Sequence, residues 1–351
     1  MSKVARAAAV TALVGGLAGL VAAPVAQACT RILYENGGGA YFNGRSMDWF
    51  QDTQTDLWAF PKGMRRDGGV GPGSLEWTSR YGSVIASMYG IATVDGMNEA
   101  GLVGNVLYLA ETDYGTDARA GQPGLSIGAW LQYVLDNFAT VEEAVTALSP
   151  DGIRIVAPTL PDGKAATGHL AVADGSGDSA IFEYIDGKLV VHHGRDYTVM
   201  TNSPTYDRQL AIDAYWQDIG GLTFLPGTIR AADRFARASF SREASPRFSD
   251  ERQSLAAIFS MMRSISVPYG ITDPGQPNIA STMWRTVSDI GAKRYFYESA
   301  LNPAIFWVDL DKVGLGEGAP VKRLDLSGSP ILSGEVSAHF APAEPFAWLS
   351  H

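Results

Sequence analysis

Only one cysteine, Cys29, occurs in 351 residues. No intrachain disulfide can form, so an apolar core must hold the fold. The five histidines make no Cys/His spacing of the kind that builds structural zinc. Basic residues are scarce as well, 27 Lys and Arg against 37 Asp and Glu. That imbalance argues against nucleic acid or an anionic membrane as partner. Beyond residue 23 no apolar run approaches the about 20 residues that a membrane-spanning helix needs. Low-complexity tracts and long internal repeats are missing too. These absences leave a globular chain, with 46% hydrophobic residues to form its interior.

The chain start is different in kind. Lys3 and Arg6 precede an uncharged Ala/Val/Leu/Gly stretch from Ala7 to Ala23, and Ala26-Gln27-Ala28 then offers the small residues that signal peptidase requires. Residues 1–28 are read as a removable secretory signal and 29–351 as one mature domain. The mature chain carries 25 basic and 37 acidic residues, a net charge of −12. Cleavage after Ala28 would place a thiol and a free α-amino group in the same residue, Cys29. A free thiol titrates at about 8.5, and an α-amino group at about 7.7–8.0. The amine can therefore relay the thiol proton near neutrality, a known way of activating a nucleophile for acyl transfer. Two other readings of Cys29 are an inert buried thiol and a lipid attachment site. Lipoprotein signals usually carry Leu three residues before the cysteine and a small residue two before it, where this chain has Ala26 and Gln27.

Thr30–Glu35 and Ala40–Arg45 flank Asn36-Gly37-Gly38-Gly39, a strong hairpin signal. A symmetric turn pairs Glu35 with Ala40 and Thr30 with Arg45, which sets Arg45, Ser46 and Asp48 beside the nucleophile. Strands are expected over Ser83–Thr93 and Gly101–Ala110, around a turn from Asp95 to Gly101. Helical periodicity covers Ser126–Leu148, interrupted at Ala139-Thr140, where Thr140 can cap the second helix. Four short strands follow at His169–Asp174, Ser179–Ile185, Lys188–His193 and Tyr197–Thr201. Helices are expected over Ala231–Ser239 and Leu255–Ser264, then strands at Lys293–Glu298 and Ile305–Asp309. Strand runs between paired helices indicate an α+β layered domain rather than an alternating parallel sheet.

Cys29-Thr30 with Asn43-Gly-Arg45-Ser-Met-Asp48-Trp49 resembles the opening of the choloylglycine hydrolase family, which includes penicillin V acylases and bile salt hydrolases. Further stretches agree in order: Gly96-Met-Asn98-Glu99-Ala-Gly101-Leu102, Ala139-Thr140-Val-Glu142-Glu143, Thr201-Asn202-Ser203-Pro204, Leu225-Pro226-Gly227 with Asp233-Arg234-Phe235, and Thr282-Met-Trp284 with Lys293-Arg-Tyr-Phe296. The resemblance implies the αββα four-layer sandwich of N-terminal nucleophile hydrolases, hydrolysis of a linear amide, and no cofactor or metal. It implies Cys29 as nucleophile, flanked by Arg45 and Asp48, with Asp48 holding the α-amino group. Asn202 would donate to the oxyanion, together with a backbone N–H near Tyr108, and Arg234 would orient the cysteine. Tyr108 falls where bile salt hydrolases carry Asn and many penicillin V acylases carry Tyr. The segment between Asn202 and Arg234 is shorter than in Gram-positive members, where an excursion supports a tetramer, so the homo-oligomer is left open. The leader resembles the exported Gram-negative branch, which hydrolyses penicillin V and long-chain acyl homoserine lactones and is weak on bile salts. A periplasmic or secreted location follows.

Met47, Trp49, Phe50 and Trp58 would line an apolar acyl pocket for a small-molecule amide, with Phe60, Met88 and Tyr89 near them. Ordinary core packing is the competing reading for each. Gly124-Leu-Ser126-Ile-Gly128 matches the serine-hydrolase elbow, but Arg119–Gly124 reads as a turn where the elbow needs a strand. Ser126 is therefore read as a helix start. His192 and His193 alternate along a strand and face opposite ways, which disfavours a shared metal; His169 reads as a structural strand residue. The competing functions are a serine esterase built on Ser126, a bile salt hydrolase, and a lipid-anchored binding protein without activity.

Overall fold

The computed structural model of the protein describes residues 29–272 and 280–350. The expected signal, residues 1–28, lies outside the described residues. Strands β1 (Thr30–Glu35) and β2 (Tyr41–Trp49) form the opening hairpin. Its register is one residue from the symmetric expectation: Thr30 pairs with Ser46, Arg31 with Arg45 and Glu35 with Tyr41. The turn explains the shift. Asn36 N–H donates to the Ala40 carbonyl at 2.9 Å, so Asn36 and Ala40 still pair and only three residues make the loop. Gly39 takes φ +78°, open to glycine at no steric cost, and the Asn36 side-chain oxygen accepts from the N–H groups of Gly38 and Ala40. Continuing the pairing sets Met47, not Ser46, level with Cys29.

The hairpin belongs to a seven-stranded sheet in the spatial order Val199–Met200, β1, β2, Ser281–Asp289, Arg294–Ser299, Phe306–Asp309, Gly334–Glu335. A nine-stranded sheet faces it, in the order Lys188–His193, Ser179–Ile185, His169–Ala173, Val103–Leu107, Ala92–Asn98, Ser83–Met88, Leu57–Phe60, Lys322–Leu324, Ala341–Pro342. The single strand expected over 83–93 is two strands. Tyr89 and Gly90 both adopt positive φ, +55° and +61°, and Ile91 N–H closes the turn on the Met88 carbonyl. Two adjacent positive-φ residues are the signature of a two-residue hairpin turn. Asp95, Gly96 and Met97 consequently lie in a strand. The following turn shrinks to its Asn98–Gly101 tip, where the Asn98 side chain accepts from Ala100 and Leu102 N–H.

Helices α1 (Ile127–Asn137) and α2 (Val141–Leu148) cover the outer face of the nine-stranded sheet, and Thr140 caps α2 through Glu143 N–H. Gly104 allows this approach, because a Cβ there would lie 2.3 Å from Leu131 Cδ1. Helices α3 (Tyr206–Ile219), α4 (Ala231–Ala244) and α5 (Glu251–Ser264) lie on the other side, α4 and α5 directly over β1 and β2. Gly44 plays the same part as Gly104, since its Cβ would meet Met262 Cγ at 2.8 Å. Four layers result, helix, sheet, sheet and helix, which is the expected αββα sandwich of the α+β class. A polar thread crosses between the sheets: Arg31 Nε donates to Asn43, Asn43 to Asn105, and Asn105 to Asp95, which also accepts from Thr286 and Tyr295. Every member is buried. A long helix and a long strand are among the elements not expected from the sequence. Helix α3 has only weak amphipathic periodicity (its exposed face carries Leu210, Tyr215 and Ile219), and the 281–289 strand hides its alternation because Thr282, Thr286 and Ser288 are buried polar residues.

Candidate active site

Pleat alternation in β1 and β2 sorts the site residues into two sets. Arg31, Asn43, Arg45, Met47 and Trp49 point between the sheets, whereas Thr30 and Asp48 point toward α4. Cys29 sits at the open end of β1, only 2% exposed, with Sγ 3.9 Å from Met47 Sδ and 3.8 Å from Arg45 Nη2. The β1 pairing to the 199–200 strand, Arg31 with Met200, extends to Thr30 with Thr201 and Cys29 with Asn202. Register thus delivers Asn202 to Cys29 across 173 residues of sequence.

Asn202 is held from both ends of its amide. Its Nδ2 donates to the Tyr108 carbonyl at 2.7 Å and its Oδ1 accepts from Arg234 Nη2 at 3.2 Å. One amide N–H is thereby engaged and the other is left for a ligand. Arg234, in the first turn of α4, is wholly buried. Its Nη1 donates to the Cys29 carbonyl at 2.8 Å and to Thr30 Oγ1, and stands 3.8 Å from Asp48 Oδ2. Asp48 Oδ1 accepts from Thr282 Oγ1 at 2.5 Å. Five of the six expected catalytic residues, Cys29, Arg45, Asp48, Asn202 and Arg234, therefore gather in one buried cluster. Tyr108 joins through its carbonyl on Asn202 and its ring edge on Trp49, 6.4 Å between centroids.

Electrostatics at the cluster are dominated by burial. Burial pushes the Cys29 thiol above its ordinary range, against the pull of Arg45, Arg234 and a contact with the Asp48 carbonyl, while the Asp48 carboxylate charge pushes the same way as burial. Asp48 is itself pushed up to about 6 by burial, although Arg234, Thr282 and Arg45 favour its ionised form. Arg45 lacks a carboxylate within ion-pair distance among the described residues; its guanidinium lies 4.4 Å above the Trp284 ring, and its Nε and Nη1 have no hydrogen-bond partner. A buried cation with two free donors beside a sulfur is suited to stabilise a thiolate or an incoming carbonyl oxygen. Thr282 and Trp284 thus support the site, although in the sequence they carried only the resemblance and no role.

Of the four residues expected to line an acyl pocket, Met47 touches Cys29 and Trp49 is next on the same strand face. Phe50 packs against Trp49 at 5.5 Å and lines a cavity of about 830 Å³ with Gln51, Tyr89, Trp284 and Tyr297; Cys29 does not border it. Trp58 lies elsewhere. In its strand Leu57 and Ala59 face the inter-sheet core, so Trp58 and Phe60 face the cluster of α1 and Phe346. This placement corrects the expectation for Trp58, and period-two alternation is the reason.

The other sequence candidates find structural positions. Arg119 to Pro123 turn as expected, a short strand Gly124–Ser126 then leads into α1, and Ser126 has φ −58° and ψ 140° without elbow strain. Its hydroxyl is buried, caps α1 through Gly128 N–H, and donates to the Leu349 carbonyl at 2.6 Å. His169 is buried and its Nδ1 lies 2.9 Å from Glu183. Burial alone would raise Glu183, but the hydrogen bonds with His169 and Tyr206 N–H, with the His192 ring 3.8 Å away, win and hold it down at about 2. His192 faces Glu183, whereas His193 approaches Asp178 and Glu142.

Residues 29–328 match the family of linear amide C–N hydrolases, choloylglycine hydrolase family. A penicillin V acylase of Pectobacterium atrosepticum is 51% identical over 346 residues, covering 92% of both chains. A bile salt hydrolase/transferase of Clostridium perfringens is 25% identical over 84% of this chain and 95% of its own. The solved penicillin V acylase of Agrobacterium tumefaciens superposes with a TM-score of 0.86 at 54% identity, covering 92% of this chain and all of that one. The conjugated bile acid hydrolase of Clostridium perfringens, at 23% identity and TM-score 0.74, shares the fold. With sulfur, guanidinium, carboxylate and side-chain amide brought together at the start of the first strand, and with similarity on this scale, the chain belongs to the choloylglycine hydrolase family of linear amide hydrolases.

Proposed function

We propose that the protein is an exported penicillin V acylase-type amidohydrolase, processed after Ala28, in which Cys29 is nucleophile and its own α-amino group the base. One observation carries this reading: Asn202, Arg45, Asp48 and Arg234 all converge on the residue that the expected cleavage would expose. In the first half-reaction Cys29 Sγ bonds to the amide carbon and its proton passes to the α-amino group. The second N–H of Asn202 and a backbone N–H near Tyr108 receive the developing oxyanion, each donor worth about 3–4 kcal/mol in acyl-transfer enzymes. The tetrahedral species collapses, the C–N bond breaks, and the amine leaves with the proton. Water then attacks the thioester, giving its proton to the same α-amino group, and the acid departs as the thiol is restored.

On the substrate side, Met47 beside Cys29, and Trp49 with Phe50 and Tyr108 packed on it, offer an apolar and aromatic surface suited to a phenoxyacetyl or fatty acyl group. Penicillin V and N-acyl homoserine lactones are the substrates proposed, with conjugated bile salts slowest because of Tyr108. Side-by-side kcat/KM for penicillin V, a long-chain N-acyl homoserine lactone and glycocholate tests this. Glycocholate as the best substrate would turn the assignment to bile salt hydrolase. An intact mass carrying acyl groups on Cys29 would turn it to a lipid-anchored protein.

A further inference from the structure

We propose that Asp162 is a positioning residue that latches the 157–167 loop onto Trp49 and thereby sets which acyl groups reach Cys29. This inference rests on the function proposed above, because the pocket it shapes is the acyl pocket of that reaction.

Three separate segments meet at one carboxylate oxygen. Asp162 Oδ2 accepts from the indole N–H of Trp49 at 3.1 Å and from the hydroxyl of Tyr89 at 3.2 Å. Trp49 ends β2, one residue after Asp48, on the strand face that carries Arg45 and Met47. Tyr89 occupies the tip of the 83–98 hairpin with φ +55°, a backbone region a bulky residue seldom adopts, and Gln51 Nε2 donates to its hydroxyl at 2.8 Å. A non-glycine residue held there points to a conformation over-determined by its surroundings. The loop is folded on itself before it docks: Thr159 bridges Ala165, Leu160 N–H donates to the Lys164 carbonyl, and Asp162 Oδ1 accepts from Lys164 N–H at 3.0 Å. Lys164 then sets its ammonium 4.0 Å above the Phe50 ring, and Leu160 packs on the same apolar cluster as Phe50, Tyr89 and Tyr108.

The indole of Trp49 is 3% exposed. A buried indole N–H needs an acceptor, and a carboxylate is the strongest one available. While the latch holds, the Trp49 ring and the loop form a fixed wall next to Tyr108 and Met47. Unlatched, the wall yields, and acyl chains too long for the closed pocket gain room while short ones lose contacts. Neither the thiol nor the oxyanion donors touch Asp162, so the effect falls on binding and on choice of acyl group.

The test compares wild type with Asp162→Ala, Asp162→Asn and Tyr89→Phe on N-acyl homoserine lactones from hexanoyl to dodecanoyl and on penicillin V. Asp162→Ala is expected to lower kcat/KM for the short acyl groups about tenfold, mostly through KM, and for dodecanoyl less than about threefold, the scale of one charge-assisted hydrogen bond. Asp162→Asn, which keeps an acceptor, should recover most of the wild-type preference, and Tyr89→Phe should shift it weakly in the same direction. Equal loss on every acyl length in all three variants would overturn the proposal. Hydrogen exchange across residues 157–167 supplies a readout independent of turnover: Asp162→Ala should speed it about tenfold, and unchanged protection would also overturn the latch. If wild type cleaves none of these amides, the function reading fails while the exchange experiment still decides the latch.

Discussion

Asp48 carries a conflict between stability and chemistry. Its carboxyl, ordinarily near 3.8, is pushed up to about 6 by burial. The folded chain therefore holds that proton more tightly than the unfolded chain does between these values. The stabilising contribution is complete below about pH 4 and is lost as pH rises through about 6, at a cost of about 3 kcal/mol by pH 7. Asp48→Asn is expected to raise the melting temperature at pH 7 and to leave it unchanged at pH 4, while hydrolysis is lost; a lower melting temperature at pH 7 would refute this account. Asn202→Ala should lower kcat about 10²–10³-fold, as loss of an oxyanion donor does elsewhere, and single-turnover acylation rates measure it. Cys29, Arg45 and Asp48 were legible from sequence because one hairpin carries them all. Asn202 and Arg234 were legible only through resemblance, since an Asx turn and a surface arginine look the same from sequence. Thr282, Trp284 and Asp162 matter through contacts across 100 or more residues, and no local pattern marks them.

At the level of elements, turns decide which side chains share a face. Asn36 draws two backbone N–H groups onto one side-chain oxygen and fixes the three-residue loop that levels Met47 with Cys29. Asn36→Ala is expected to cost about 1–2 kcal/mol for the two lost hydrogen bonds, read as a lower denaturation midpoint with kcat/KM nearly kept. A loss of activity exceeding the loss of folded protein would show that the turn also holds the catalytic register. Sequence reading anticipated the hairpin but missed its register, because Asn-Gly-Gly-Gly permits more than one loop length. The 83–98 hairpin was missed for a related reason: Tyr89 is a poor turn residue by propensity, and its hydroxyl serves Trp49 and Asp162 instead.

For the whole molecule, export and folding are expected to be coupled to activity through one cut. A variant in which Ala28→Pro blocks cleavage should fold, show an intact mass that includes the leader, and hydrolyse no amide; activity with the leader attached would remove the α-amino group from the mechanism. Leu210, Tyr215, Ile219, Leu222 and Phe224 are exposed on α3 and the segment after it, an apolar surface of the kind that pairs with a second copy. Sedimentation should show self-association that Leu222→Glu with Phe224→Glu weakens; a monomer in wild type would sink that expectation. By itself the sequence determined the layered α+β class, the helix starts at Ser126 and Thr140, and the placing of Arg45 and Asp48 beside Cys29, because caps, turns and periodicity act over a few residues. Tertiary structure alone decided that Asn202 lies level with Cys29, that Arg234 is buried as a clamp, and that Trp58 turns away while Trp49 is pinned by Asp162. Those outcomes depend on strand register and on burial between layers, which bring together residues that no local spacing relates.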